Sequence, residues 1–297
     1  SFMRPETKIT CMIKAGAYGC GSVEVARTLQ DLGVDYLAVA VADEGEALRK
    51  EGISIPIIVM DPEFSSFNVL FERQLEPEVY SFRLLDALMK EAGRRGITSY
   101  PIHIKIDTGM HRLGFRPSDV REICQRLEQQ SSLVVRSVFS HLVGSDSPEH
   151  DEFTRGQIRL FTQSAEALEA GLGYPVLKHI LNSAGIERFT GHQMDMVRLG
   201  ISLYGISASV SEAKKLQPVS SLKTTILQIR DVPAGDSIGY SRKTYAQRDL
   251  RVAILPIGYA DGLDRHLSNG VGEVAINGTR CPIVGNICMD ICMVDVT

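Results

Sequence analysis

The most restrictive feature of this 297-residue chain is an alternation. Short apolar, β-branched runs take turns with amphipathic stretches over its first two thirds. The apolar runs predict strands at Ile9–Lys14, Tyr36–Ala40, Pro56–Met60, Glu78–Ser81, Pro101–Asp107, Val134–His141, Leu177–Asn182 and Met196–Gly200. Between them, Val23–Leu32, Phe82–Arg94, Pro117–Gln129 and Phe153–Ala170 repeat apolar residues at steps of three and four, the helical period. Strands that are apolar on both faces suit a parallel sheet covered on both sides. Eight such units in about 200 residues predict a (β/α)8 TIM barrel, placed over residues 1–210. A doubly wound sheet is the alternative. It opens on a G-x-G-x-x-G turn after the first strand, and Gly16-Ala17-Tyr18-Gly19 does not supply one.

After about Ala208 the texture changes. Helical periodicity ends at Ala213-Lys214-Lys215, and strand-like runs follow at Leu222–Ile229, Val252–Pro256, Glu273–Ile276, Pro282–Val284 and Ile291–Val296. Gly and Asp punctuate them, as in Pro233-Ala234-Gly235-Asp236 and Asn277-Gly278. Residues 211–297 therefore read as a second, smaller β-domain. A net charge of -4 and the lack of basic runs give no case for nucleic acid. No apolar stretch is long enough to cross a bilayer, and no signal peptide is visible. The six cysteines are scattered without a scaffold or zinc spacing, which reads as free thiols in a reducing cytoplasm.

In barrels the active site lies at the C-terminal ends of the strands. Strand one brings Lys14 there, facing the glycine-rich turn Ala15-Gly16-Ala17-Tyr18-Gly19-Cys20-Gly21 and well placed to carry a Schiff base. Strand five brings Lys105, Asp107 and, in the next loop, Arg112; strand six brings His141. Strand seven brings Asn182 and Ser183, and strand eight Arg198 and Gly200. Each has a plain alternative as loop cap, surface ion pair or helix cap, and for Ser183 alone the cap is the better reading. Together, two lysines, two arginines and a histidine on one rim predict an anionic ligand. Barrels commonly bind phosphate after strands seven and eight, where Ser183 and Gly200-Ile201 lie.

Six blocks, in order, then resemble one family. They are Ile13-Lys14-Ala15-Gly16-Ala17-Tyr18-Gly19, Lys105-Ile106-Asp107-Thr108-Gly109-Met110-His111-Arg112-Leu113-Gly114, Asn182-Ser183-Ala184, Val197-Arg198-Leu199-Gly200-Ile201, Pro256-Ile257-Gly258-Tyr259-Ala260-Asp261-Gly262 and Cys288-Met289-Asp290. Over essentially its whole length the chain resembles the alanine racemases, pyridoxal 5'-phosphate (PLP) enzymes built from a barrel and a C-terminal β-domain. The resemblance implies that Lys14 would hold PLP and act as one base, and that Tyr240, from the partner subunit, would be the other. Tyr18, Ser183 and the backbone at Gly200 and Ile201 would hold the phosphate, with Asn182 beside them. Arg198 would face the pyridine nitrogen, and His141 would link Arg198 to Tyr240. Arg112 would meet the phenolic oxygen of PLP and the substrate carboxylate, positioned by Lys105, which is carbamylated in some members. Tyr259 and Met289 would narrow the pocket from the other subunit. A cytoplasmic homodimer that makes D-alanine for peptidoglycan follows from the same resemblance, with no metal.

The chemistry suits these residue types. Two bases on opposite faces exchange an α-proton without turning the substrate, and a guanidinium, always charged, keeps the pyridine nitrogen unprotonated. Tyr245 lies close to Tyr240 in sequence, but the flanks Ile238-Gly239-Tyr240-Ser241 match better. Gly16 and Cys20 depart from the usual family residues at non-catalytic positions. Family members also carry a segment before the Lys14 strand, and strands past Val296 with a tyrosine on the phosphate. The β-domain is therefore expected to be incomplete, in a fragment or in part of a fusion with another cell-wall enzyme. A serine racemase of similar build and a PLP-binding protein without turnover are the other readings.

Overall fold

The computed structural model describes residues 3–207 and 216–297, so the expected helix end at Ala213-Lys214-Lys215 and the 210/211 boundary lie outside the described residues. The chain divides into two compact units, Ser1–Ser220 and Ser221–Thr297.

The first unit is the expected barrel. Eight parallel strands run β1 (Lys8–Met12), β2 (Tyr36–Val39), β3 (Ile57–Val59), β4 (Glu76–Val79), β5 (Tyr100–Lys105), β6 (Leu133–Phe139), β7 (Leu177–His179) and β8 (Met196–Leu199). Their order is β7-β6-β5-β4-β3-β2-β1-β8. The last gap is spanned by backbone bonds from Asp195 N to the Lys178 carbonyl, 3.2 Å, and from Arg198 N to the Leu181 carbonyl, 3.0 Å. The helices are α1 (Ser22–Asp31), α2 (Ala42–Lys50), α3 (Phe67–Glu72), α4 (Phe82–Arg94), α5 (Val120–Glu128), α6 (Asp151–Leu172) and α7 (Ser183–Arg188).

Strand side chains alternate between two buried environments, as the two-residue period requires. One set, including Leu37, Val39, Ile57, Val59, Ile102, Ile104 and Val138, packs into the main apolar core. The other set includes a small apolar cluster, Tyr36, Ala38, Ile58 and Met196. It also includes polar residues that are buried just as fully, among them Glu78, His103, Lys105, Ser137, His179 and Arg198. The apolar, β-branched texture of the strands does not announce this polar set.

Several boundaries differ from the sequence reading. Strand β1 stops at Met12, so Lys14 stands beyond it. Asp107, His141, Asn182 and Gly200 likewise lie in loops past the ends of β5 to β8. The apolar run misleads because burial continues past the last residue of the regular ladder: Ile13, Ile106, Ile180 and Leu181 are at most 1% exposed. Strand β4 begins at Glu76 rather than Glu78, despite Pro77 inside it. That shift puts both glutamates on the strand.

The second unit holds a five-stranded antiparallel sheet in the order β13-β14-β15-β12-β9, and a two-stranded pair, β10-β11. The strands are β9 (Gln228–Val232), β10 (Ser237–Ile238), β11 (Thr244–Tyr245), β12 (Leu250–Leu255), β13 (Glu273–Ile276), β14 (Thr279–Val284) and β15 (Cys292–Asp295). The first differs from the expected Leu222–Ile229, because its register is set by β12, which pairs Val232 with Leu250 and Gln228 with Ile254. Ala253, Leu255, Ile283, Cys292 and Val294 form its core. All six cysteines are free thiols.

Candidate active site

The loop after β1 takes an unusual path. Ala15, Gly16, Ala17 and Tyr18 all have φ between 52° and 64°, one left-handed turn in which three residues carry a Cβ. Such a conformation costs about 1–2 kcal/mol per non-glycine residue. It is held by Ala17 N to the Ile13 carbonyl, 2.9 Å, and by Ala15 N to Glu44 Oε1, 2.6 Å. Strain of this kind collects at functional sites, and here it sets Lys14 and Tyr18 on a common rim.

That rim surrounds a cavity of about 530 Å³. Lys14, Tyr18, Lys105, Arg112, His141, Asn182, Ser183, Arg198, Gly200 and Ile201 all line it. Tyr240, Tyr259 and Met289 belong to the second unit and are exposed, at 72%, 40% and 60%. Sequence reasoning missed Met12, Met60, Asp61 and Phe139 among the lining residues.

Arg198 is the fixed point of the cavity. It is 3% exposed and its two terminal nitrogens donate to the carbonyls of His179, Ser140 and Ile180. They also donate to two rings, His179 Nδ1 at 2.8 Å and His141 Nδ1 at 3.3 Å. Arginine has no acceptor, so both imidazoles accept through Nδ1. Burial, with Arg198, Arg112, Lys105 and Lys14 adding to it, pushes His141 down to about 3, so its neutral ring carries the proton on Nε2. His179, wholly buried, is also held well below its usual value by burial and then by Arg198.

From His179 a line of hydrogen bonds runs down the barrel interior. His179 Nε2 lies 3.0 Å from Ser137 Oγ, which is 2.6 Å from His103 Nδ1; His103 Nε2 is 2.8 Å from Glu76 Oε2. With Arg198 as the donor at one end and a carboxylate as the acceptor at the other, every proton points the same way: Arg198 to His179 to Ser137 to His103 to Glu76. The only sequence signal for it is polar residues, His103, Ser137 and His179, at strand positions that read as core; Glu76 precedes the expected strand Glu78–Ser81.

Beside it, Lys105 Nζ donates to Glu78 Oε1 at 2.8 Å, both side chains almost fully buried. The Phe139 ring lies between two cations, 5.5 Å from Lys105 Nζ and 5.1 Å from the Arg198 guanidinium. Burial pushes the Glu78 carboxyl up to about 7, while Lys105 pulls it down. Arg112 sits on a loop ordered by Asp107, whose Oδ1 accepts from the backbone of Gly109, Met110 and His111 at 2.9, 3.0 and 3.1 Å. Gly114 closes that loop: with φ at 136°, a Cβ there would fall 2.6 Å from Asp107 N.

Ser183 is not the cap of α7. Asn182 is, its Oδ1 accepting from Gly185 N at 2.9 Å. Ser183 Oγ instead accepts from Gly200 N, 3.0 Å, and Ser202 N, 3.3 Å, tying the loops after β7 and β8 together. A Cβ on Gly200 would stand 3.4 Å from Tyr18 Oη and 3.6 Å from Ser183 Oγ, so the bare backbone completes a small polar cradle. Tyr18 stacks on Tyr204 at 4.6 Å. Among the described residues no group of three His, Cys, Asp or Glu could hold a metal, and no helix is long and apolar enough to cross a membrane.

Comparisons with known proteins agree with this architecture. Residues 1–208 match the alanine racemase N-terminal domain family, and residues 219–297 the alanine racemase C-terminal domain family. The chain is 39% identical over 300 residues to alanine racemase 1 of Oceanobacillus iheyensis, covering 99% of this chain and 79% of that protein. Alanine racemase of Bacillus anthracis, solved with bound L-Ala-P, superposes with a TM-score of 0.88 at 33% identity over 99% of this chain and 77% of the other. Alanine racemase of Bartonella henselae, solved with covalently bound pyridoxal phosphate, superposes with a TM-score of 0.84 at 27% identity over 100% and 80%. The chain belongs to the alanine racemase family.

Proposed function

We propose that the protein interconverts the enantiomers of alanine with pyridoxal 5'-phosphate, using Lys14 and the partner subunit's Tyr240 as bases on opposite faces. The observation that carries this is the joining of Lys14, buried Arg198 and the Ser183–Gly200 cradle around one cavity. These residues fit the cofactor. The cavity has room for a pyridine ring and a phosphate, and its cationic rim suits an anion. Lys14 would hold the cofactor covalently. Tyr18, Ser183 and the backbone at Gly200 and Ile201 would hold the phosphate, and Arg198 the pyridine nitrogen. When bound, the cofactor supplies an electron sink for the α-carbon.

The side chains supply the rest. Lys14 takes or returns the proton on its face of the substrate. Arg112, exposed at the mouth, binds the substrate carboxylate, while Tyr259 and Met289 narrow the pocket from the partner. A tyrosine of ordinary pKa, about 10, is a weak base at neutral pH. His141, with its proton on Nε2 and its Nδ1 tied to Arg198, is suited to donate to the phenolate and so favour it. Arg198 stays charged and does not release its proton, which would leave the pyridine nitrogen unprotonated and limit side reactions. The exposure of Tyr240, Tyr259 and Met289 supports a homodimer with shared sites. Supply of D-alanine to peptidoglycan in the cytoplasm is the corresponding role. Serine racemisation and cofactor carriage are less favoured, since the relatives are named alanine racemases.

The test is an absorbance spectrum of the purified chain with PLP, before and after borohydride, with chiral analysis of alanine and serine. A reducible band, a mass adduct on Lys14 and faster turnover of alanine are expected. No adduct on Lys14, or a preference for serine, would refute the assignment.

A further inference from the structure

Glu78 has no role in the chemistry above, yet it is the only fully buried carboxylate among the described residues. It sits at 0% exposure on the barrel interior, with Oε1 2.8 Å from Lys105 Nζ. Its Oε2 has no hydrogen-bond partner. A lone buried acceptor is costly, and a carboxylate is retained in such a place only against compensating positive charge. Lys105 supplies that charge directly, and Glu78 also favours the charged form of Arg198.

We propose that Glu78 is the positioning residue that holds Lys105 as an ammonium, and so keeps Lys105 uncarbamylated. The inference rests on the barrel cavity being the racemase site. Carbamylation needs the neutral amine: the nitrogen lone pair attacks the carbon of CO2, an N–C bond forms, a C=O π pair moves to oxygen and the amine proton leaves to solvent. Glu78 opposes this at both ends. Beforehand it holds the proton on Lys105 by a charge-assisted bond. Afterwards a carbamate would set a second anion against a buried carboxylate, with one N–H where the ammonium had three. The orphan Oε2 sharpens the point, since a carbamate adds acceptors where a donor is lacking. Lys105 thus stays a cation, which Glu78 keeps in place against the Phe139 face.

The experiment uses the full chain loaded with PLP and equilibrated with ¹³C-bicarbonate at mildly alkaline pH, read by ¹³C NMR, which needs no turnover. The wild type is expected to show no carbamate resonance that Lys105→Arg removes. Glu78→Gln is expected to gain one, lost again in the double variant with Lys105→Arg. Alanine turnover by Glu78→Gln is then expected to respond to bicarbonate, while wild-type turnover does not. A wild-type resonance that Lys105→Arg removes would overturn the proposal, as would a folded Glu78→Gln chain that stays silent. Should that variant not fold, ¹⁵N-lysine labelling of the wild type decides: an intact Lys105 ammonium under bicarbonate supports the proposal, and its loss overturns it. A failed racemase assay with these spectra as expected would count against the proposed function instead.

Discussion

The barrel cavity and the second unit assign opposite characters to the residues thought to share one reaction. Arg198 and Lys105 are buried, with His179 and Glu78 as their bonded partners. Tyr240, Tyr259 and Met289 stand exposed on short 3₁₀ turns and loops, with Ser241 and Arg242 beside Tyr240 at positive φ. The first group can be altered only by disturbing the barrel. The second can be altered at little cost in stability. On the proposed assignment, one half of the site would be preorganised by the barrel and the other would be supplied by the partner subunit.

The contrast can be broken most forcefully at Lys14. Lys14→Ala is expected to lower racemisation by at least ~10³-fold, since on the proposed assignment it would remove a base and the cofactor anchor together. The borohydride-reducible band should vanish with it, and a surviving band would place the anchor elsewhere. Tyr240→Phe comes next, with a loss of about 10²-fold or more. Because Tyr240 is 72% exposed, its stability should move by no more than about 0.5 kcal/mol in a urea melt. Mixing Lys14→Ala and Tyr240→Phe chains sharpens the comparison: regained activity supports a shared site, and none argues that each chain works alone.

Lys105→Met should act in the opposite sense, on stability before chemistry. It leaves Glu78 buried and uncompensated, a loss of about 3–5 kcal/mol on breaking a buried pair. The smallest expected effect is in pH. His141 is pushed from 6.5 to about 3 in the folded chain, so between those values the unfolded chain binds the extra proton. Its contribution is fully present above 6.5 and is lost as pH falls toward 3. His141→Gln should flatten the fall in stability over that window, and an unchanged slope would assign it to other groups.

Much of the fold is legible in the chain because periodicity reports burial. Helix α4 falls exactly where the three- and four-residue spacing over Phe82–Arg94 predicts, and β13 where Glu273–Ile276 predicts. Strand ends are less legible. Ile13 and Ile106 are as apolar and buried as any strand residue but make no regular ladder. Burial beyond the end of the ladder looks the same in sequence. Of the site, the lysine, arginines and His141 could be placed by the barrel rule, because strand ends gather on one face. Glu76, Glu78, His103 and His179 could not, since a polar residue within a strand carries no mark of whether it faces water, the helices or the barrel interior.

The sequence by itself determined the alternation of elements, the change to a β-rich second unit and which residues stand near the barrel mouth. Those follow from local period and chain order. Only the tertiary structure decided that Lys14 leaves its strand through a left-handed turn, that Asn182 rather than Ser183 caps α7, and that Lys105 is already spoken for by Glu78. Glu44 holds the turn, Gly200 draws Ser183 away from the cap and Glu78 holds Lys105, all contacts between residues distant in the chain that exist only once the barrel strands curve around a common interior.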